Sequence, residues 1–186
     1  MGKRLSEMTL EELWKLFPIY LTAHQPYWQA WYFEEESLLK AALLPIERIS
    51  HIGSTAVPSI WAKPMIDILL EIPKESNLCD YKALIINKGY ICMSQSKNRL
   101  AFNKGYTENG FAERVFHLHL RYVGDNNELY FRDYLLEHPK AAKEYEELKL
   151  RLWKVYEHNR DDYTNAKAEF VKRYTEQAKV IYESRY

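Results

Sequence analysis

Cysteine, proline and glycine are all scarce in this 186-residue chain, which has two Cys, seven Pro and six Gly. Cys79 and Cys92 make neither a disulfide framework nor a zinc-ligand set, and no His or acidic pattern beside them marks a nucleophile. With so few breakers and an apolar fraction of 47%, a disordered or low-complexity chain is excluded. Net charge is lacking as well: 26 Lys and Arg balance 26 Asp and Glu. That balance removes the bulk electrostatic case for a broad nucleic-acid surface. No apolar run approaches the roughly 20 residues needed to span a bilayer, so no membrane is expected as a partner. The charged stretch from Met1 to Trp14 also lacks the apolar segment of a signal peptide. These exclusions leave a soluble, cytoplasmic, bacterial globular protein, read most simply as one domain over residues 1–186.

Aromatic residues are what the chain has in quantity, with 15 Tyr, 7 Phe and 5 Trp, and most are expected to pack the core and the helices. The few glycines are unevenly spread, since all six lie at or before Gly124. The pattern therefore changes near residue 125, from short punctuated elements to long uninterrupted ones. A first helix is predicted over Thr9 to Phe17, with Thr9 and Glu12 as a capping box. A longer helix follows Pro26, with Tyr27, Trp31, Leu38 and Ala42 as its apolar stripe and Glu34-Glu35-Glu36 as its solvated face. Strands are predicted at Ile46–Ile52 and Met65–Ile72, the second buried on both faces. A short helix at Tyr81–Asn87 precedes three strands at Gly89–Gln95, Arg99–Tyr106 and Arg114–Val123. Past Asn126 three helices are expected, and the Lys/Glu alternation from Lys140 to Lys154 reads as a solvated face. The fold class is therefore α+β: a mixed sheet with N-terminal helices and a C-terminal helical segment. The sheet-bearing core runs over about residues 20–127 and the helical part over 128–186.

Two segments carry chemistry. In the first, Gly53-Ser54 ends one strand and Asp67 lies in the next. Gly53 lets an anion approach the backbone, while Ser54 and Thr55 add hydroxyl and N–H donors. A carboxylate in a buried strand needs a partner, which could be a metal ion, Lys63, a His or several N–H groups. The same residues are also compatible with a plain tight turn pinned by Asp67. In the second segment, strand alternation places His117, His119 and Arg121 on one face. Two imidazoles at i, i+2 suit a divalent metal, a proton-transfer pair or, with Arg121, a phosphate clamp; simple solvent exposure fits equally. If this strand lies beside that of Asp67, then Asp67, His117 and His119 converge, with His51 joining from the preceding strand.

A Gly-Ser turn before a carboxylate-bearing strand resembles the nucleotidyltransferase fold of the polymerase-beta-like superfamily. There two carboxylates one residue apart hold divalent metals and a nucleoside triphosphate. Here 12 residues separate Ser54 from Asp67, as that motif requires, but Leu69 stands where the second carboxylate is expected. Glu71, at i+4, lies about 13 Å along the strand, too far to share an ion. The chain is more specifically similar to the GrpB family of uncharacterised bacterial proteins with a nucleotidyltransferase-like fold. The similarity is carried by His51-Ile-Gly-Ser-Thr-Ala-Val-Pro58, Ala62-Lys63-Pro64-Met-Ile-Asp67, His117-Leu118-His119 and Phe131-Arg132-Asp133-Tyr134-Leu135 with His138-Pro139. It is also carried by Pro26 to Glu36, Tyr145 to Lys149, and Tyr163, Lys167 and Phe170 of the C-terminal helix. Some dephospho-CoA kinases carry such a domain fused to the kinase, but no Walker-type sequence is present here, so kinase activity is not implied.

The resemblance and the residues together lead to one reading: a nucleotidyltransferase-like domain binding a small phosphate-bearing ligand or nucleotide with a divalent metal (Mg, Mn or Zn). Asp67, His117 and His119 would be catalytic and, with His51, metal-binding. Gly53, Ser54, Thr55, Lys63 and Arg121 would bind phosphate. Nucleotidyl transfer is the activity the resemblance implies. A non-catalytic ligand- or partner-binding module with a degenerate site is the alternative, and a metal-dependent hydrolase using the His pair is another.

Overall fold

The computed structural model describes residues 3–43 and 45–186. A single 3-10 turn at Leu5–Glu7 precedes helix α1 (Leu10–Leu16). The Thr9 hydroxyl accepts from the Glu12 amide at 3.2 Å while the Glu12 carboxylate accepts from the Thr9 amide at 2.8 Å, so the expected capping box starts α1. Helix α2 (Tyr27–Ala42) follows Pro26, whose fixed φ suits a helix start. Strands β1 (Arg48–Ile52) and β2 (Ile66–Ile72) come next, then α3 (Leu78–Ile86), β3 (Ile91–Gln95), β4 (Arg99–Thr107) and β5 (Gly110–Tyr122). Four helices close the described chain: α4 (Asn127–Glu137), α5 (Pro139–Tyr156), α6 (Arg160–Asn165) and α7 (Ala168–Tyr182). This is one more than the periodicity predicts, because Asn159 caps a short helix in what reads as a connection.

The five strands form one mixed sheet in the order β1-β2-β5-β4-β3. β2 and β5 pair in parallel at its centre, and the other three pairings are antiparallel. The observed class is thus α+β, with a mixed sheet, N-terminal helices and a C-terminal helical segment. One sheet face carries Ile66, Ile68, Leu70, Ile72, Leu118 and Leu120, and packs under Trp28, Tyr32 and Leu39 of α2 and Tyr81 and Ile85 of α3. The opposite face carries Ile52 and Leu69, covered by Leu129 of α4. A second apolar cluster joins α4, α5 and α7 through Tyr134, Tyr145 and Tyr174. β2 is buried at every position but Asp67, as expected for a strand covered on both faces.

Two predicted helix faces are rotated from their expected positions. In α2 the buried residues are Trp28, Tyr32, Glu35 and Leu39, while Tyr27 is 47% exposed. Glu35 can go inward because Lys104 pairs with it at 2.8 Å and the Tyr90 hydroxyl donates to it at 3.0 Å. In α5, Glu146 and Lys149 are buried within the Lys/Glu run that reads as solvated. Glu146 accepts from the Trp61 amide at 2.8 Å, and Lys149 donates to Ser54 at 2.9 Å and to the Trp61 carbonyl. Charge alternation hides this face because the partners come from a loop some ninety residues earlier.

Candidate functional site

The site begins with sheet register. Ile52, Asp67, His117, Asn103 and Ile91 stand opposite one another across all five strands, so their side chains share one face. This is the face covered by the C-terminal helices. Between sheet and helices lies a cavity of about 700 Å³, lined by Gly53, Ser54, Thr55, Lys63, Asp67, His117 and His119 among others.

Gly53 leaves β1 with φ +71°, a region that L side chains rarely adopt. A Cβ at this position would meet the Asp67 carboxylate, with Cγ at 3.0 Å and Oδ2 nearer still. The glycine is what lets the carboxylate lie against the turn. Asp67 Oδ1 is 3.1 Å from His117 Nδ1 and 4.0 Å from His119 Nε2. Because the carboxylate can only accept, Nδ1 of His117 carries the proton. Its Nε2 is then an acceptor, facing the Tyr106 hydroxyl at 2.9 Å and the Arg160 guanidinium at 3.3 Å. Burial pushes the His117 pKa below its ordinary value, Asp67 opposes this, and Arg160 and Lys63 add to it, so the ring is neutral. Burial of Asp67 works against its charged form. Hydrogen bonds from His117 and His119 outweigh that and hold its carboxyl well below the usual range.

Around this carboxylate the cavity gathers cations. Lys63 lies over the Tyr163 ring at 5.4 Å and Lys167 over the same ring at 4.2 Å, while Lys149 reaches Ser54. Burial and neighbouring positive charges lower Lys63 and Lys149 to about 7, and burial lowers Lys167 to about 8. The hydroxyl of the fully buried Tyr163 has no hydrogen-bond partner among the described residues. Six basic residues line the cavity against three acidic ones, in a chain whose total charge is zero.

Several expected residues fall elsewhere. His51 stands opposite Ile68, on the other sheet face from Asp67. It stacks on Tyr32 at 4.8 Å, bonds Thr55 Oγ1 at 2.9 Å and is pushed by burial to about 4. It does not join a ligand set with Asp67, because one residue of strand offset reverses the face. Arg121 does share the Asp67 face, but it is 8% exposed and paired with Glu128 at 2.9 Å and Asp125 at 3.6 Å, away from the cavity lining. It is a structural cation and not a free phosphate clamp. The Thr55 hydroxyl is spent on the Met65 carbonyl at 3.0 Å and on His51. Lys149, Tyr163 and Lys167 lie in stretches that resemble the family's later blocks but carry no site role in the sequence reading, and Arg160 is not marked at all; all four come from the glycine-free helical half. Arg132 also lines the cavity, donating to the His51 carbonyl at 2.9 Å and pairing with Asp133 at 2.7 Å.

The residues do not fit a two-metal centre. Leu69 fills the same-face position next to Asp67 and is fully buried against Ile52 and Leu129. Glu71 Oε1 accepts from the Gly124 amide at 2.9 Å and Asn126 Nδ2 at 3.0 Å. Among the described residues no group of three or more His, Cys, Asp and Glu side chains is placed to hold a metal ion.

The model of the GrpB protein family matches residues 18–177. The chain belongs to the GrpB family. It is 34% identical over 156 residues to the UPF0157 protein YqkA of Bacillus subtilis, a match spanning 82% of this chain and 45% of that one. It is 37% identical over 152 residues to a UPF0157 protein of Pseudomonas aeruginosa, with 80% and 62% covered. The chain thus spans less than two thirds of those two relatives. It matches 91% of the glutamate-rich protein GrpB of Alkalihalophilus pseudofirmus at 34% identity. The crystal structure of the conserved protein GrpB from Enterococcus faecalis superposes with a TM-score of 0.76 at 29% identity, covering 89% of this chain and all of that one. At its core this fold sets a strand, the Gly53-Ser54 turn and a central carboxylate-bearing strand in one mixed sheet.

Proposed function

We propose that the cavity between the sheet and the C-terminal helices binds a small phosphate-bearing ligand, a nucleotide, with its phosphates at the Gly53-Ser54 turn. The observation that carries this reading is the gathering of Lys63, Lys149 and Lys167 in the cavity that the turn lines, with Lys149 on Ser54 and the other two over the Tyr163 ring. Buried ammonium groups are costly without counter-charge, and one carboxylate, Asp67, cannot neutralise three of them. A phosphate restores the balance, and the adjacent apolar wall of Phe131, Tyr145 and Val171 suits an uncharged remainder of the ligand. The neutrality of the whole chain supports a small ligand over a nucleic-acid polymer.

Nucleotidyl transfer is the activity that the family resemblance implies. In such a reaction Asp67 and His119 would face the reacting phosphate, with Asp67 orienting His117. A second reading, binding without catalysis, is favoured by Leu69 in place of a second carboxylate. Nucleoside triphosphates should raise the melting temperature, and Lys63→Met with Lys167→Met should abolish the shift. Labelled triphosphates with Mg²⁺ or Mn²⁺ and candidate acceptors separate the two readings: turnover lost in Asp67→Ala supports transfer. Triphosphates that give no melting shift count against the nucleotide reading altogether.

A further inference from the structure

Divalent ions in phosphate sites are carried by converging carboxylates, and two-metal sites hold two ions about 3.5–4 Å apart on them. β2 offers only Asp67. Its same-face neighbours are Leu69, sealed under Leu129, and Glu71, whose Oε1 holds Gly124 and Asn126 while Arg48 lies 3.3 Å from Oε2. Both ring nitrogens of His117 are engaged. A dication entering here would add charge to a region where six basic residues already face three acidic ones.

The positive charge that such ions bring can come from the chain itself, because a bound anion favours the protonated lysines. Lys149 is 2% exposed and held at Ser54, while Lys63 and Lys167 lie over one buried aromatic ring, with no carboxylate in ion-pair range among the described residues. Arg160 stands behind them against His117. Ammonium groups on three separate elements (the β1–β2 loop, α5 and the start of α7) line this one cavity and can donate to an anion within it. We infer that this site takes its ligand as the metal-free polyphosphate anion, with Lys63, Lys149 and Lys167 in place of divalent ions. The inference rests on the phosphate-binding reading and names the ionic species that is bound.

Titration calorimetry with inorganic tripolyphosphate and with ATP, each in EDTA and in excess Mg²⁺, tests this. The expected result is full binding in EDTA and several-fold weaker binding in Mg²⁺, because the magnesium complex presents less negative charge. Asp67→Asn removes the repelling carboxylate that lies against the Gly53 turn and should tighten tripolyphosphate binding in EDTA several-fold. Lys167→Met should weaken it on the order of tenfold or more. Circular dichroism and melting curves establish that each variant is folded. Binding that appears only with Mg²⁺, or that is lost in folded Asp67→Asn, overturns the inference while leaving the phosphate-binding reading intact. Absence of binding in both media overturns both.

Discussion

At Gly53 two residues far apart in sequence depend on each other. Gly53 adopts φ +71° directly against the Asp67 carboxylate, so a methyl group there adds backbone strain and a clash at once. Gly53→Ala should cost about 1–3 kcal/mol in urea unfolding and put a methyl group where an anion would approach the turn's backbone, so triphosphate-induced stabilisation should vanish as well. The lysines make a second prediction. Lys63 and Lys149 sit at about 7 and Lys167 at about 8, each lowered chiefly by burial from 10.5. An anion favours their protonated forms, so affinity for sulfate, whose own charge is constant, should fall on the order of tenfold between pH 6 and pH 9. Without ligand the sign reverses. Between about pH 7 and pH 10 the unfolded chain binds more protons at these groups than the folded one, so they contribute stability that grows as pH rises. Urea titrations of the wild type against the Lys63→Met, Lys167→Met double variant check this, since the variant should lose most of the rise.

At the scale of elements, β2 and α5 set what the site can be. Asp67 is readable because a charge inside an apolar strand stands out, and the Gly-Ser turn 12 residues earlier gives it context. Leu69 is readable as a departure from the expected pair of carboxylates, but not its cause. In the structure it is fully buried beneath Leu129, so an acid there is unpaired and desolvated. Leu69→Asp should lower stability by about 3–5 kcal/mol in denaturant titrations rather than create a metal site. A gain of stoichiometric Mn²⁺ binding in that variant, with stability unchanged, would falsify this account. α5 shows the opposite case. Its Lys/Glu alternation matches an exposed helix so well that Glu146 and Lys149 are missed. Only the approach of the Trp61 loop, with an amide for one and a carbonyl for the other, makes their burial affordable. His51 fails for a similar reason: its side chain is assigned by pairing register, and Ile52 rather than His51 stands opposite Asp67.

At the scale of the whole molecule, charge is segregated although its sum is zero. The surface mixes both signs, while the cavity keeps a surplus of cations. Binding to random duplex DNA at physiological salt is therefore not expected, and a gel-shift titration showing salt-dependent retention would contradict this charge distribution. Among the described residues no helix is long and apolar enough to cross a membrane. The C-terminal helical half closes one sheet face and supplies Lys149, Lys167 and Tyr163 to the cavity, with Arg160 against His117, so the glycine-free half is a wall of the site and not only scaffold.

The division between the two kinds of information has a physical basis. Sequence alone determined the α+β class, the order of elements as far as the C-terminal helices, the spacing of the Gly-Ser turn from Asp67 and the shared face of His117 and His119. These follow from local periodicity and backbone preference, which act over a few residues. Tertiary structure decided which cations meet that face, that Arg121 and Glu71 are spent on structural pairs, and that His51 points away. Those outcomes depend on strand register and on helices packing from the far end of the chain. The energy of a buried charge depends on what faces it across space, and adjacent residues do not encode that.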